Sequence, residues 1–183
     1  MNLPNYISIF RILLTFPTIY FLLKKMFTPA LIFFSIAALS DALDGYFARK
    51  NNSITDLGKF LDPFADKFLL VSTFNALALL GKMPLWVFLA IFSKEFALFV
   101  GWAIFNKVTK EFRIIPNFYG KAASALLMVL AGCTLADNYR YAPFKLFSFL
   151  NPILLYSSLL LMAISLFSYI NDGIKYAKNK ELR

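Results

Sequence analysis

Residues 41–49 read DALDGYFAR and residues 58–66 read GKFLDPFAD, so Asp41, Asp44, Asp62 and Asp66 recur at fixed spacing within apolar sequence. Written as a pattern, the stretch is D-x2-D-G-x2-A-R-x8-G-x3-D-x3-D. Its neighbours, among them Ile36, Leu39, Phe60, Phe64, Phe68 and Leu69, would bury it in lipid or in a protein core. A carboxylate in such surroundings costs several kcal/mol unless something pairs with it. Four together call for a cation, most simply divalent metal.

The rest of the chain says which kind of apolar surroundings these are. Of its 183 residues, 60% are hydrophobic and 22 are Phe. Mean hydropathy is +0.66. Soluble domains sit near 45–50% apolar residues, so the composition points to a polytopic membrane protein. The formal net charge is +9. In a soluble protein that surplus would suggest nucleic acid; here it fits cytoplasmic loops beside anionic lipid, and no nucleic-acid partner is expected. Histidine is absent. Its absence excludes a Ser-His-Asp triad, an HExxH zinc site and a phosphohistidine intermediate. The lone Cys133 offers no intrachain disulfide and reads as a small buried hydrophobe. The N-terminus lacks a basic stretch followed by a small-residue cleavage site, so it reads as a first membrane helix.

Six apolar segments stand out, predicting an all-α domain of six spans over residues 1–183. They cover about Ile7–Leu23, Pro29–Phe47, Leu57–Leu80, Pro84–Asn106, Tyr119–Leu135 and Phe144–Ile170. Polar turns punctuate them: Lys24-Lys25, Asn51-Asn52-Ser53, Gly81-Lys82, a basic loop broken by Pro116, and Asp137-Asn138 with Arg140. With loops alternating sides, one side collects Arg49, Lys50, Lys59, Lys107, Lys110, Arg113, Lys121 and the Lys-rich tail. The other holds Lys24, Lys25, Lys82, Arg140 and Lys145. The excess marks the first side, with both termini, as cytoplasmic. Trp86 and Trp102, near the ends of the fourth segment, read as interface anchors.

Residues three and four apart share a helix face, so Asp41, Asp44 and Ala48 line one face and Gly58, Asp62 and Asp66 another. The short turn between them predicts antiparallel neighbours whose carboxylates meet at one depth. That depth is about 12–15 Å from the cytoplasmic ends. Gly45, Ala48 and Gly58 leave room for a ligand, and Arg49 at the rim suits a phosphate. Pairing of the acids with Arg49, Lys59 and Lys67 is the plainer explanation for any one of them, but four on two matched faces need more. All-oxygen clusters favour Mg²⁺ or Mn²⁺, and two such ions about 4 Å apart would serve phosphoryl transfer. A carboxylate-lined cation or proton path is a rival of a different class. A nonenzymatic scaffold that keeps a metal site is a third reading.

The full pattern from Asp41 to Asp66 resembles the signature of the CDP-alcohol phosphatidyltransferase family, with every fixed position filled. The six-span plan is similar too. The resemblance implies transfer of a phosphatidyl group from CDP-diacylglycerol to an alcohol, with release of CMP, at a bacterial-type cytoplasmic membrane. It implies that Asp41, Asp44, Asp62 and Asp66 hold two Mg²⁺ or Mn²⁺ ions, and that Asp66 is also the general base for the acceptor hydroxyl. Asp44, Gly45, Ala48, Arg49 and Gly58 would frame the CDP moiety, with Asn5 and Ser8 near the donor. A homodimer among membrane lipids is likewise implied by the resemblance.

The acceptor is read from other positions. Asn2-Leu3-Pro4-Asn5 with Ser8 and Arg11 resembles the opening of phosphatidylglycerophosphate synthases, which makes glycerol 3-phosphate the first expectation. Some relatives using other alcohols open similarly. Where those synthases carry Arg-Glu-Phe and a later Arg, this chain has Lys94-Glu95-Phe96 and Trp102. Ile115-Pro116-Asn117 with Gly120-Lys121 resembles the CDP-alcohol type of cardiolipin synthase, which takes phosphatidylglycerol, although phosphatidylglycerophosphate synthases share the Gly-Lys. Arg11, Lys94 and Lys121 are the candidates for an anionic acceptor. Each also has a plainer reading: Arg11 reaching to the surface, Lys94 pairing with Glu95, and Lys121 as an ordinary cytoplasmic cation.

Overall fold

The computed structural model describes residues 3–51, 56–109, 118–138 and 146–181, with side-chain surroundings for residues 6–40, 64–101, 118–138 and 150–171. Every regular element among the described residues is helical: α1 (Leu3–Leu23), α2 (Phe27–Asn51), α3 (Asp56–Leu79), α4 (Leu85–Thr109), α5 (Phe118–Asp137) and α6 (Leu146–Glu181). Each apolar segment predicted from sequence has become one helix. The largest difference is α6, which continues as helix past Ile170 to Glu181. Hydropathy marks where lipid would end, whereas the tail's Lys, Glu and Ala residues are good helix formers and carry the helix onward.

Two tight turns set the layout. At the end of α1 the Lys25 amide donates to the Leu22 carbonyl (2.7 Å) and the Met26 amide to the Phe21 carbonyl (2.9 Å). Lys25 sits in the left-handed region at φ 59°. The end of α3 repeats this, Gly81 donating to Ala78 (3.0 Å) and Lys82 to Leu77 (2.9 Å). There a glycine, Gly81, takes the left-handed position at φ 67°. Both are Schellman closures, which satisfy the last carbonyls and reverse the chain. Thus α1 and α2 are antiparallel, as are α3 and α4.

The most extensive contacts join α5 to α6 and α1 to both α2 and α3, while α5 also packs on α2 and α3. The core takes Leu14 and Leu22 from α1, Ala30, Phe34 and Ala37 from α2, Leu69, Leu70, Phe74 and Leu77 from α3, Val87 and Ile91 from α4, and Leu127, Leu130 and Leu135 from α5. Small residues at Ala30, Ala37, Ala123 and Ala131 let helix backbones approach closely. Near the Asp137 end of α5, the Asn151 side-chain amide donates to Asp137 Oδ2 at 2.9 Å and links α5 to α6.

The outer surface is as apolar as the core. On α1, Tyr6, Phe10, Leu13, Phe16 and Tyr20 are exposed, while Ser8, Arg11, Thr15 and Thr18 are buried. The Thr15 and Thr18 hydroxyls donate to the carbonyls of Arg11 and Leu14, which satisfies them inside the bundle. On α4, Phe92, Phe96 and Phe99 are exposed while Lys94 and Glu95 are buried. A helix with polar groups inward and aromatics outward is stable only where the outside is not water. Tyr6–Leu23, Phe118–Asp137 and Leu150–Asn171 are each long and apolar enough to cross a membrane, and these three were found among the described residues. Trp86, at the start of α4, is exposed, as an interface anchor would be.

Candidate active site

Helix α1 is the ruler from which the site is read. Its Phe16 meets Phe68 of α3, ring centroids 6.2 Å apart. Beyond these rings, a groove of about 300 Å³ is lined by Ile19 and Leu23 of α1 and by Ser72, Asn75 and Leu79 of α3. The groove extends C-terminally along both helices, so α1 and α3 run in the same direction. Five residues back from each ring, Arg11 on α1 comes level with residue 63 on α3, between Asp62 and Asp66. On the other side, Phe21 of α1 stacks on Phe33 of α2 at 5.5 Å. These two helices are antiparallel, so ten residues away from the turn Arg11 comes level with residue 43, between Asp41 and Asp44. The backbone register therefore brings the two acid-bearing segments and Arg11 to one height, within about a helical turn (~5.4 Å).

At that height α1 presents Ser8 and Arg11 inward, both 0% exposed. The sequence allowed Arg11 to reach for the surface; the fold instead encloses its guanidinium, which demands compensating negative charge nearby. Asp66 is half-buried, and its Oδ1 is shielded from solvent. Asp41, Asp44, Gly45, Ala48, Arg49, Gly58 and Asp62 occupy helical positions on α2 and α3, but their side chains lie outside the described residues, as does that of Asn5. Among the described residues no three metal-liganding side chains cluster. Asp41, Asp44, Asp62 and Asp66 offer a donor set whose chemistry fits a hard divalent ion, all oxygen and carried on two helices.

The remaining candidates separate. Lys94 is buried on α4 and donates to Glu95 Oε1 at 2.7 Å. Glu95 also accepts from Lys67 of α3 through its other oxygen. This Lys67–Glu95–Lys94 cluster ties α3 to α4. The pairing of Lys94 with Glu95 is the plainer of the two sequence readings, whereas the sequence offers Lys67 only as one possible partner of the aspartates. The signal that would have found the Lys67–Glu95 bridge is the turn at Gly81. Lys67 lies twelve residues before Leu79 and Glu95 ten after Leu85, so both stand about 15–18 Å from that turn. Lys121 is exposed at the start of α5.

The sequence as a whole has counterparts among known proteins. Residues 1–170 match the family described as CDP-alcohol phosphatidyltransferase. The chain belongs to that family. It is 31% identical over 181 residues to the CDP-diacylglycerol–glycerol-3-phosphate 3-phosphatidyltransferase of Aquifex aeolicus (strain VF5), covering 96% of this chain and 97% of that one. It is 34% identical over 150 residues to the protein of the same name in Bacillus subtilis (strain 168), covering 82% of this chain and 72% of that one. It is also 32% identical over 134 residues to a cardiolipin synthase (CMP-forming) of Streptomyces coelicolor, covering 70% and 62%. Membership makes this membrane-associated chain a phosphatidyltransferase enzyme of phospholipid biosynthesis and sets aside the ion-path and scaffold readings.

Proposed function

We propose that this enzyme moves the phosphatidyl group of CDP-diacylglycerol to glycerol 3-phosphate, giving phosphatidylglycerophosphate and CMP. The observation that carries the reading is the common height of Arg11, the Asp41–Asp44 segment and the Asp62–Asp66 segment, which lets one pocket serve donor and acceptor together. The names of the Aquifex and Bacillus relatives favour glycerol 3-phosphate as the acceptor.

In this reading Asp41, Asp44, Asp62 and Asp66 hold two Mg²⁺ or Mn²⁺ ions, which when bound supply positive charge for the pyrophosphate. Asp44, Gly45, Ala48, Arg49 and Gly58 cradle the CDP moiety, their small side chains admitting it and Arg49 reaching its phosphates. Asn5 and Ser8 border the donor. Asp66 takes the proton from the acceptor hydroxyl, whose oxygen then attacks the phosphorus that carries the lipid. The bond from that phosphorus to the CMP oxygen breaks and CMP leaves. Arg11, Lys94 and Lys121 attract the acceptor's negative charge. The six helices cross a bacterial-type cytoplasmic membrane as a single domain over residues 1–183, with both termini and the pocket mouth on the cytoplasmic side. The uneven spread of Lys and Arg supports that orientation. The working unit is a homodimer among membrane lipids.

The cardiolipin synthase relatives favour a second acceptor, phosphatidylglycerol. Purified enzyme offered CDP-diacylglycerol with each acceptor in turn decides between them. CMP release with a phosphatidylglycerophosphate product supports the first reading. Cardiolipin formed from phosphatidylglycerol, with no turnover of glycerol 3-phosphate, replaces it with the second.

A further inference from the structure

One carboxylate, Glu95, holds two lysines that come from different helices. Its Oε1 accepts from Lys94 at 2.7 Å and its Oε2 accepts from Lys67. The Glu95 and Lys94 side chains are 9% and 6% exposed, whereas Lys67 is 39% exposed. Among the described residues, two ammonium groups face one carboxylate, a local surplus of one positive charge. A mere brace between α3 and α4 needs only one lysine, and a surplus cation inside an apolar bundle is costly unless something anionic uses it. The cluster's position narrows the user. Lys67 is the next residue after Asp66 on α3, so the cluster is anchored on the helix segment that carries that carboxylate.

We propose that Glu95 is a positioning residue for the acceptor's phosphate: it gathers the Lys67 and Lys94 ammonium groups into one pair beside Asp66. The inference rests on the acceptor being a phosphorylated alcohol, as proposed above. Each ammonium has three N–H donors, and Glu95 engages one from each. In this proposal the remaining donors serve the oxygens of the phosphate group, and the ester's free hydroxyl goes to Asp66. Lys67, the more exposed of the two, meets the incoming anion first. Lys94 is enclosed, and its hydrogen bond to Glu95 Oε1 holds the ammonium group in place.

The test is steady-state kinetics of Glu95→Gln, Glu95→Asp and Lys67→Gln, with thermal unfolding in detergent measured in parallel. For Glu95→Gln, KM for glycerol 3-phosphate is expected to rise about tenfold or more, as for one lost charge-assisted hydrogen bond. KM for CDP-diacylglycerol and kcat should stay within about twofold, because neither depends on the lysine pair. Glu95→Asp, which keeps the charge, should recover part of the loss. Slow turnover of uncharged glycerol as acceptor should be the same in Glu95→Gln as in wild type. A brace alone would lower the unfolding temperature and move both KM values together, and that result overturns the proposal. An unchanged acceptor KM in a folded Glu95→Gln enzyme overturns it as well. Should that variant not fold, an unchanged acceptor KM in both Glu95→Asp and Lys67→Gln does the same. Wild-type enzyme that turns over no phosphorylated alcohol sinks the acceptor reading itself, which is a separate failure.

Discussion

Asp66 and Arg11 show what a single residue reveals when its surroundings are apolar. A charge placed among Phe and Leu is expensive, so its presence in the sequence already argues for a purpose. That is why the aspartates single themselves out in the sequence. Arg11 does so less: sequence allowed a side chain reaching for the surface, and only packing of α1 against two helices shows it enclosed. The Glu95 bridge to Lys67 was not read at all, because it depends on which residues two helices bring level and not on any local pattern. Asp66 carries the sharpest prediction at this scale. Asp66→Asn is expected to lower CMP release by about 10²–10⁴-fold, the usual weight of a general base, while CDP-diacylglycerol still binds. Turnover and donor binding measured on the same preparation check this, and retained turnover removes Asp66 as the base.

At the level of helices, the segments were read within a few residues, since apolar runs closed by Lys-Lys, Gly-Lys or Asn-rich turns leave little choice. What hydropathy does not mark is where a helix ends in water, which is why α6 outruns its apolar segment. Turn chemistry is legible where glycine takes the left-handed position, as at Gly81, and hidden where lysine does, as at Lys25. A Cβ added at Gly81 meets no atom within 4 Å, so the cost of one there is purely conformational. Gly81→Ala is therefore expected to destabilise the protein by about 1 kcal/mol, the penalty of a left-handed L-residue. Thermal or denaturant unfolding in detergent measures it. A neutral effect would mean that the turn between α3 and α4 does not hold this conformation, and with it would go the register that levels Lys67 with Glu95.

For the molecule as a whole, composition gave the all-helical membrane class but not the arrangement. Helices that are apolar on every side do not announce their neighbours. The fold answers with α1 packed against both α2 and α3, using Phe16–Phe68 and Phe21–Phe33 as fixed points. Through them the backbone register brings the acid-bearing segments of two helices level with Arg11, and the proposed chemistry depends on their carboxylates meeting there. Mn²⁺ binding followed by electron paramagnetic resonance tests it most directly. Wild-type enzyme titrated with Mn²⁺ should take up two ions per chain with a spin-coupled spectrum, as ions about 4 Å apart give. Asp41→Asn and Asp62→Asn, one from each helix, should both abolish the coupling. Isolated Mn²⁺ signals, or coupling indifferent to either substitution, would contradict a shared site built by α2 and α3.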